Sequence, residues 1–379
     1  MNTKRDYKSF DILLFLLVAG ISLFGLFAVA SALKGTAEVT GVRMTMTSQI
    51  VFFVTGMMIL AAAAFIDYRF ICNFYIVFYV INILLLIVVL FVGSEDANAA
   101  RWIKITGDFG IQPSEFSKIF MIVFLAKFID KYKEHINNIL FLLLIFALTA
   151  LPIYLIQRQP SLSASLVTGV ILIVMLFTGK IRYRYFAIAA AVIIPAAIFF
   201  YYDLNRETHI FVHRFMEPYQ IKRIVDMFAG NVDTANQYQI TQSLYAIGSG
   251  QLSGKGFFQN TVYVPYSYND FIFSIIGAEF GFIGCVAVLA LMLLIVMKCL
   301  LIAHSSDILY GKLICAGVAG MLAFQTFVNV GVATQLLPVT GMTFPFVSKG
   351  GSAMWISFAA IGLVLNVSMT RTKSIFQDF

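Results

Sequence analysis

The stretch NDFIFSIIGAEFGFIGCVAVLALMLLIVMKCL, residues 269–300, decides the class of fold. Residues 271–300 are almost wholly apolar, and this run exceeds the roughly 20 residues that an α-helix needs to cross a bilayer. Two carboxylates, Asp270 and Glu279, are set into it. A charged side chain at bilayer depth costs roughly 2.5–3.5 kcal/mol on insertion scales, so such residues usually have a partner or a function. The stretch therefore predicts a membrane helix with functional or buried charges.

The composition extends this prediction to the whole chain. Of 379 residues, 60% are hydrophobic and 12% are charged, whereas about 25% of the residues in soluble domains are charged. Apolar segments of about membrane-spanning length recur along the sequence. They are residues 10–33, 48–66, 71–93, 114–128, 137–156, 162–179, 184–202, 271–300, 309–335 and 351–370. We therefore predict an all-α polytopic membrane protein with about ten transmembrane helices in a single domain, residues 1–379.

The longest connection, residues 203–269, lies between the seventh and eighth predicted helices. Lys and Arg are more frequent in the two chain ends and in the even-numbered short loops than in the odd-numbered ones. The positive-inside rule then places both termini in the cytoplasm and the large loop outside it. These orienting charges and the attraction to anionic lipid explain the net charge of +7, so we expect no nucleic-acid partner.

Cysteine and metal-ligand patterns are weak in this sequence. All four cysteines fall within or at the ends of predicted spans without paired spacing, which argues against a disulfide framework. In the large loop, His209, His213 and Glu217 could ligate a metal if that segment is helical, but loop histidines without a fourth ligand are usually ordinary. An interfacial amphipathic helix is predicted nearby from apolar residues at helical spacing, namely Ile221, Ile224, Val225 and Phe228.

Asp270 has two interpretations. It stands at the predicted start of the eighth membrane helix, where an Asp side chain commonly caps the helix and stabilises it by about 1 kcal/mol. It could instead serve as a base at the outer mouth of the helix. Glu279 lies about half a turn out of phase and about 13.5 Å deeper on an ideal helix, so the two carboxylates do not form a glycosidase-like pair. Gly277 and Gly281 predict a close-packed face, and we expect Glu279 to be a buried partner for a cation.

Residues 99–120, AARWIKITGDFGIQPSEFSKIF, hold further charges at the outer end of the fourth predicted helix. Pro113 suits the first turn of a helix, and Glu115 and Lys118 share one helical face at i, i+3. This pair is either an internal ion pair that fixes helix packing or part of a substrate site. A group of cations on the predicted outer side, together with Asp270, would suit a substrate with a phosphate. These cations are Arg101, Lys104, Lys118, Lys255 and Lys349.

Two glycine-rich segments predict irregular backbone. AIGSGQLSGKG, residues 246–256, suits a close approach of backbones and contact with an anion around Lys255. VATQLLPVTGMTFPFVSKGGSAM, residues 332–354, contains prolines and glycines between the ninth and tenth predicted helices. Irregular backbone is tolerated near the membrane only where protein or a water-filled cavity surrounds it. The second segment therefore predicts a cleft at the outer edge of the helices.

The order of these motifs resembles that of a known family. ARWI, QPSE with Lys118, QSLYAIGSGQLSGKG, DFIFSIIGAEFG and LLPVTGMTFPFVSKGG follow one another along most of the chain. Together with ten predicted spans they resemble the SEDS family (shape, elongation, division and sporulation), the RodA, FtsW and SpoVE type. The resemblance implies a peptidoglycan glycosyltransferase of the bacterial cytoplasmic membrane. Such an enzyme polymerises lipid II into glycan strands at the outer face, in cell elongation or division, and releases undecaprenyl diphosphate.

The resemblance also implies roles for residues that match the motifs. Asp270 is expected to be the catalytic residue, as general base on the sugar 4-hydroxyl, and Glu279 is expected to make a structural ion pair. The expected substrate-binding residues are Arg101, Gln112, Glu115, Lys118, Lys255 and Ser348. A class B penicillin-binding protein, a transpeptidase, is the implied partner. No cofactor is certain, although a divalent cation, Mg²⁺ or Mn²⁺, could assist the leaving diphosphate.

The chain departs from the family pattern at four positions. The family's Gln-Pro-Asp motif ends here in Ser161, and Lys349 stands where Tyr is usual. Ala278 precedes Glu279 where the family has a second Glu, and Gln335 stands where Gly is common. None of these positions is Asp270, so the departures bear on specificity more than on the reaction.

Two other classes of function stay open at this point. A flippase or transporter of the same lipid-linked precursor would need charges near the bilayer midplane and alternating-access repeats. The sequence shows neither clearly, because its charges gather at the outer side. A non-catalytic scaffold of the cell-wall machinery would leave that outer polar group unexplained.

Overall fold

The computed structural model describes residues 9–41, 46–96, 99–106, 109–159, 161–204, 221 and 235–370. Most of these residues are helical. In chain order the α-helices are α1 (Ile12–Thr40), α2 (Thr47–Phe65), α3 (Tyr68–Asn73), α4 (Tyr75–Val92), α5 (Pro113–Lys131), α6 (Ile139–Arg158), α7 (Leu162–Thr178), α8 (Tyr183–Leu204), α9 (Ala235–Ser249), α10 (Ile272–Ser305), α11 (Leu309–Ala333) and α12 (Gly351–Ser368). Pro113 begins α5 as predicted, because its missing N–H costs nothing in the first turn.

Seven of the helices in the described ranges are long and apolar enough to cross a membrane, namely α1, α2, α4, α6, α10, α11 and α12. Helix α7 and the Tyr183–Ala196 part of α8 are apolar but shorter. The prediction of a helical, multi-pass membrane protein is therefore confirmed in its main features. The count of ten spans and the outer placement of residues 203–269 stay predictions. Of the amphipathic helix predicted in that loop, only Ile221 lies among the described residues.

A small antiparallel sheet follows α4, and the all-α prediction missed it. Its strands are β1 (Ser94–Asp96), β2 (Ala99–Thr106) and β3 (Phe109–Ile111), paired in the order β1-β2-β3. Ile103 of β2 lies opposite Ile111 of β3. Strands β1 and β3, with three residues each, offer too few positions for an alternating apolar pattern, and β2 mixes polar and apolar residues on both faces. Arg101, predicted among the outer cations, and its neighbour Trp102 lie on strand β2.

Helices α11 and α12 lie at the centre of the bundle. In their most apolar stretches 72% and 83% of the residues are buried, against 22% in α4. The exposed apolar side of α4 is what a lipid-facing helix requires. Close contact between α2 and α12 depends on glycine, since a Cβ on Gly362 would lie 2.5 Å from the carbonyl oxygen of Leu60. The start of α12 and the segment that follows α11 contribute to the site described below.

Helix α10 is broken at Gly281, whose φ of 62° and ψ of −161° are not helical. Residues 250–256 fill the break with backbone hydrogen bonds. The N–H groups of Phe282 and Ile283 donate to the carbonyls of Gln251 and Leu252, at 2.9 and 3.1 Å. In return, the Lys255 N–H donates to the Ala278 carbonyl at 3.0 Å. The predicted close approach of this glycine-rich segment is therefore confirmed, and its partner is the backbone of α10.

Candidate active site

A polar cavity of about 610 Å³ lies where the first turns of α5, α7 and α12 meet the segment before α10. Strands β2 and β3 and the segment after α11 complete its wall. The lining residues are Phe52, Arg101, Trp102, Gly110, Gln112, Glu115, Lys118, Ser161, Ser163, Ala164, Val167, Tyr268, Asn269, Asp270, Gly341, Met342, Thr343, Lys349, Gly350, Gly351 and Ala353. The cleft predicted from residues 332–354 is part of this cavity.

Helix N-termini converge on the cavity. The N-cap residues Gln112, Ser161 and Gly350, which precede α5, α7 and α12, all line it. In the described part of the chain none of these three helices has a side-chain hydrogen bond at its cap. The first N–H groups of a helix and the positive end of its dipole favour anions. The cavity therefore has an electrostatic preference for negative charge apart from its lysine and arginine side chains.

Asp270 lies on the cavity wall, just before α10 begins at Ile272. The N-cap of α10 is Phe271, whose side chain makes no capping hydrogen bond. Asp270 lies one residue earlier, in a turn, so it is not the N-cap residue itself. Its carboxylate lies against the segment after α11, since a Cβ on Gly341 would be 3.6 Å from Asp270 Oδ2. Gly341 has a φ of +72°, a conformation that favours glycine.

Glu115 and Lys118 form a buried ion pair within the cavity wall. Lys118 Nζ lies 2.6 Å from Glu115 Oε2, and the two side chains are 2% and 12% exposed. Both residues line the cavity. An ion pair taken out of water keeps its charges only with close geometry, which this distance supplies. In this place the Glu115–Lys118 pair can both fix helix packing and contact a substrate in the cavity, so the two predicted roles do not exclude each other.

Arg101 reaches the cavity from strand β2, and Gln112 from the start of α5. Arg101 Nε donates to the backbone carbonyl of Gln159 at 3.0 Å. Gln159 is fully buried and donates through Nε2 to the carbonyl of Leu86 at 3.1 Å, so this glutamine fixes the end of α6. The backbone N–H of Gln112 donates to Ser352 Oγ at 3.0 Å. These bonds tie the sheet and α5 to neighbouring helices, which holds the cavity wall together.

Two residues predicted to bind substrate are not on the cavity wall. Ser348 is 5% exposed, and its hydroxyl donates to the carbonyl of Asn269 at 2.6 Å. It supports the backbone next to Asp270 and does not face the cavity. Lys255 is exposed, and its Nζ donates to Thr261 Oγ1 at 3.1 Å. The backbone of Lys255 is bound to α10 near the break at Gly281, so Lys255 lies outside the cavity.

Glu279 is also outside the cavity, as its phase on α10 predicted. Its side chain is 1% exposed, and it accepts a hydrogen bond from the hydroxyl of Ser31 on α1. Among the described residues no cation lies within ion-pair distance of it, although Lys34 interacts with it electrostatically. The expected ion pair is thus corrected to a hydrogen bond with a hydroxyl, because the residue of α1 that contacts Glu279 is Ser31.

Lys349 and Tyr268 line the cavity but are not among the substrate-binding residues that the family resemblance implied. Lys349 Nζ lies 5.4 Å from the centre of the Tyr268 ring. Burial raises the pKa of Tyr268, and the charge of Asp270 adds to this effect, so the phenol stays protonated and can donate a hydrogen bond. A usable signal for Tyr268 was its position in the sequence, two residues before Asp270.

A metal site built by the protein alone does not fit the observed residues. The acidic side chains on the cavity wall are those of Glu115 and Asp270, and Glu115 already binds Lys118. Across the described ranges, no three His, Cys, Asp or Glu residues are grouped so that they could hold a metal ion. The loop residues His209, His213 and Glu217 lie outside those ranges. A divalent cation at this site would therefore depend on ligands from the substrate.

Comparison with known sequences gives one consistent result. The sequence model of the family described as "Cell cycle protein", FTSW_RODA_SPOVE, matches residues 11–373. A relative from Trichlorobacter lovleyi named "Probable peptidoglycan glycosyltransferase FtsW" is 31% identical over 95% of this chain and 93% of its own length. "Stage V sporulation protein E" of Bacillus subtilis is 34% identical over 76% of each chain.

Solved structures share the fold. A chain in a structure described as "Structural coordination of polymerization and crosslinking by a peptidoglycan synthase complex" superimposes with a TM-score of 0.78 at 27% identity. That match covers 96% of this chain and 99% of the other. The rod shape determining protein RodA of Thermus thermophilus gives a TM-score of 0.69 at 26% identity, with 97% and 99% covered.

Proposed function

Because this chain belongs to the FtsW/RodA/SpoVE family of cell cycle proteins, we propose that it is a peptidoglycan glycosyltransferase that polymerises lipid II at the outer face of the cytoplasmic membrane. One observation carries the proposal beyond family membership. A single cavity holds the carboxylate of Asp270 together with three cationic residues, Arg101, Lys118 and Lys349. A reaction that removes a proton from a hydroxyl and expels a diphosphate needs both kinds of group.

In the proposed reaction Asp270 accepts the proton of the sugar 4-hydroxyl of an incoming lipid II. The oxygen forms a bond to the anomeric carbon of the growing glycan chain. The bond between that carbon and the diphosphate oxygen breaks, and undecaprenyl diphosphate leaves with the electron pair. A positioned base contributes about 10²- to 10⁴-fold to such a rate. The position of Asp270 in a turn at the cavity wall, one residue before the N-cap of α10, supports this assignment.

The leaving diphosphate requires positive charge. Lys118 and Arg101 are the side chains proposed to provide it, with Lys349 as a third. The uncapped N-termini of α5, α7 and α12 add backbone N–H groups on the same wall. Glu115 holds Lys118 in one place, which lowers the entropy cost of ordering a long side chain. No step of the proposed reaction is assigned to a metal ion. The effect of Mg²⁺ or Mn²⁺ is tested in the assay described below.

The position of the protein in the membrane determines how the proposed substrate reaches the cavity. The lipid tail stays in the bilayer while the sugar and diphosphate occupy the polar cavity. This arrangement requires both termini in the cytoplasm and residues 203–269 outside. We further propose a class B penicillin-binding protein as partner, supported by the likeness to a chain of a peptidoglycan synthase complex. The resemblance spans the elongation, division and sporulation branches.

The test is a proteoliposome assay with the purified protein and fluorescent lipid II, with and without the cognate transpeptidase. Glycan polymer that forms with the parent protein and not with Asp270→Asn supports the proposal. Lipid II that crosses the bilayer without polymer would identify a flippase and overturn it. If the protein neither forms polymer nor flips lipid II in the presence of the transpeptidase, the result would support a non-catalytic scaffold. Parallel reactions with EDTA, Mg²⁺ and Mn²⁺ determine whether a divalent cation takes part.

A further inference from the structure

Asn329 is a fully buried residue of α11 that touches the backbone of Asp270. Its Nδ2 donates to the carbonyl of Asp270 at 2.8 Å and to the carbonyl of Met342 at 2.7 Å. Met342 follows Gly341, the residue that packs against the Asp270 carboxylate. One amide group thus joins the two chain segments that meet at the proposed base.

The Asp270 carbonyl does not receive the i+4 hydrogen bond of a regular helix, and the side chain of Asn329 donates to it from another helix. The N–H of Ser274, the helical partner expected for that carbonyl, donates instead to Phe271 at 3.0 Å. Asp270 is half-buried, and a carbonyl that loses a donor inside the protein must find another partner. Loss of the amide would therefore favour another backbone arrangement at Asp270 in which water or a different donor satisfies the carbonyl.

Two neighbouring carbonyls are held in the same way. The Lys349 N–H donates to the carbonyl of Tyr268 at 2.8 Å. The hydroxyl of Ser348 donates to the carbonyl of Asn269 at 2.6 Å. Three successive carbonyls, the last of them that of Asp270, are thus bound by donors from α11 and the segment before α12. The Asn329 bond is the one that acts on the base itself.

We propose that Asn329 is a positioning residue for Asp270, so that it sets the rate of glycosyl transfer without contacting the substrate. This inference rests on the proposed function of Asp270 as general base. An error of about 1 Å in the placement of a reacting group can cost about 10²-fold in rate. Substrate affinity depends on the other wall of the cavity and does not require Asn329. The expected effect is therefore on kcat and not on KM.

The chain contains a matched control in Asn366 of α12. Asn366 is also fully buried, and its Nδ2 also donates to two backbone carbonyls, those of Ala63 and Ile66. It does not line the cavity. Removal of either side chain takes the donor from two carbonyls, and removal of Asn366 also takes the acceptor from the Tyr68 N–H. Asn366→Ala should therefore lose at least as much folded protein as Asn329→Ala, and activity per folded molecule isolates the effect on chemistry.

The experiment measures lipid II polymerisation by the full-length parent, Asn329→Ala, Asn329→Ser and Asn366→Ala, normalised to folded protein by gel filtration. We expect kcat to fall at least about tenfold in Asn329→Ala with KM within about twofold of the parent. Asn329→Ser leaves a smaller void, but its shorter side chain does not reach the two carbonyls, so kcat should fall as in Asn329→Ala. Asn366→Ala should keep the kcat of the parent per folded molecule.

Several outcomes overturn the inference. A kcat within twofold of the parent in both Asn329 variants removes the positioning role. An equal fall in Asn366→Ala shows a general effect of buried carbonyls, and a change in KM alone points to substrate contact. Failure of both Asn329 variants to fold while Asn366→Ala folds assigns Asn329 to folding. A parent protein that makes no polymer overturns the proposed function itself, which distinguishes the two failures.

Discussion

Lys118 Nζ lies 2.6 Å from Glu115 Oε2 inside the wall of a cavity that Asp270 also lines. The lysine side chain is only 2% exposed, so its charge depends on the glutamate for stabilisation. One turn of α5 therefore supplies both a fixed cation and the group that fixes it. A substrate phosphate can meet that cation only at the face that the cavity leaves accessible.

Lys118→Ala should reduce polymerisation strongly, because it removes the cation and leaves Glu115 buried without its partner. Breaking a buried pair costs about 3–5 kcal/mol, so Glu115→Lys alone should also lower the folded yield. The charge swap, Glu115→Lys with Lys118→Glu, should recover yield but only part of the activity. Yield and specific activity are measured separately on purified protein. Complete recovery of activity would show that neither group touches the substrate.

Asp270→Asn should abolish polymerisation while the protein remains folded. The substitution keeps the size of the side chain, and Asn stabilises a helix start about as well as Asp, so the free energy of unfolding should change by less than about 0.5 kcal/mol. The rate should fall about 10²- to 10⁴-fold because an amide cannot accept the proton. Binding to the transpeptidase should persist in a pull-down assay.

Glu279→Gln serves as the comparison for Asp270→Asn, since Glu279 is buried against Ser31 away from the cavity. It should lose yield before it loses activity per folded molecule. Near-normal polymerisation by well-folded Asp270→Asn would instead leave the proposed reaction without its base.

Gly254→Ala should sharply reduce folded protein. A Cβ on Gly254 would lie 2.1 Å from the carbonyl oxygen of Glu279, and its φ of +83° is unfavourable for alanine. Gly248→Ala is the matched control, because no atom lies within 4 Å of a Cβ there and alanine favours the helix α9. Fluorescence-detected gel filtration after heating compares the two. Equal stability of both variants would contradict the observed insertion of residues 250–256 into the break of α10.

Lys349→Met should raise the KM for lipid II, because it removes one cation from the proposed diphosphate site. An exposed or half-buried charge is worth up to about 1 kcal/mol, which corresponds to about a fivefold change. Lys349→Arg keeps the charge and should retain the KM of the parent. Added salt should raise the KM of the parent more than the KM of Lys349→Met, because salt screens the charge of Lys349. Identical KM values in all three proteins would exclude Lys349 from substrate binding.

Cysteine labelling tests the topology. The native cysteines, Cys72, Cys285, Cys299 and Cys315, are all buried, so background labelling of the folded protein should be low. An impermeant maleimide added to intact cells should label Ser253→Cys, which lies at an exposed position of the predicted outer loop. Lys133→Cys, exposed between α5 and α6, should react only after permeabilisation. The opposite result would reverse the predicted orientation.

The sequence by itself determined the features that depend on neighbouring residues. Long apolar runs predict membrane helices because a helix satisfies its own backbone N–H and C=O groups by hydrogen bonds where the bilayer offers no water. Pro113 predicted the start of α5, and the phase of Glu279 on α10 predicted its separation from Asp270. The glycines of residues 246–256 predicted a close approach of backbones. The order of motifs identified the family, since that order needs no knowledge of three-dimensional contacts.

Only the tertiary structure decided which distant residues meet. Lys255 and Lys349 were equivalent in the sequence as outer cations, but the packing of α10 against residues 250–256 holds Lys255 elsewhere, while Lys349 lines the cavity. Asn329 gave no signal within its apolar helix, yet its amide reaches the carbonyl of Asp270. The physical reason is that hydrophobic periodicity records which side of a helix is buried and not which polar group lies opposite. That choice depends on how helices pack and where connecting segments return.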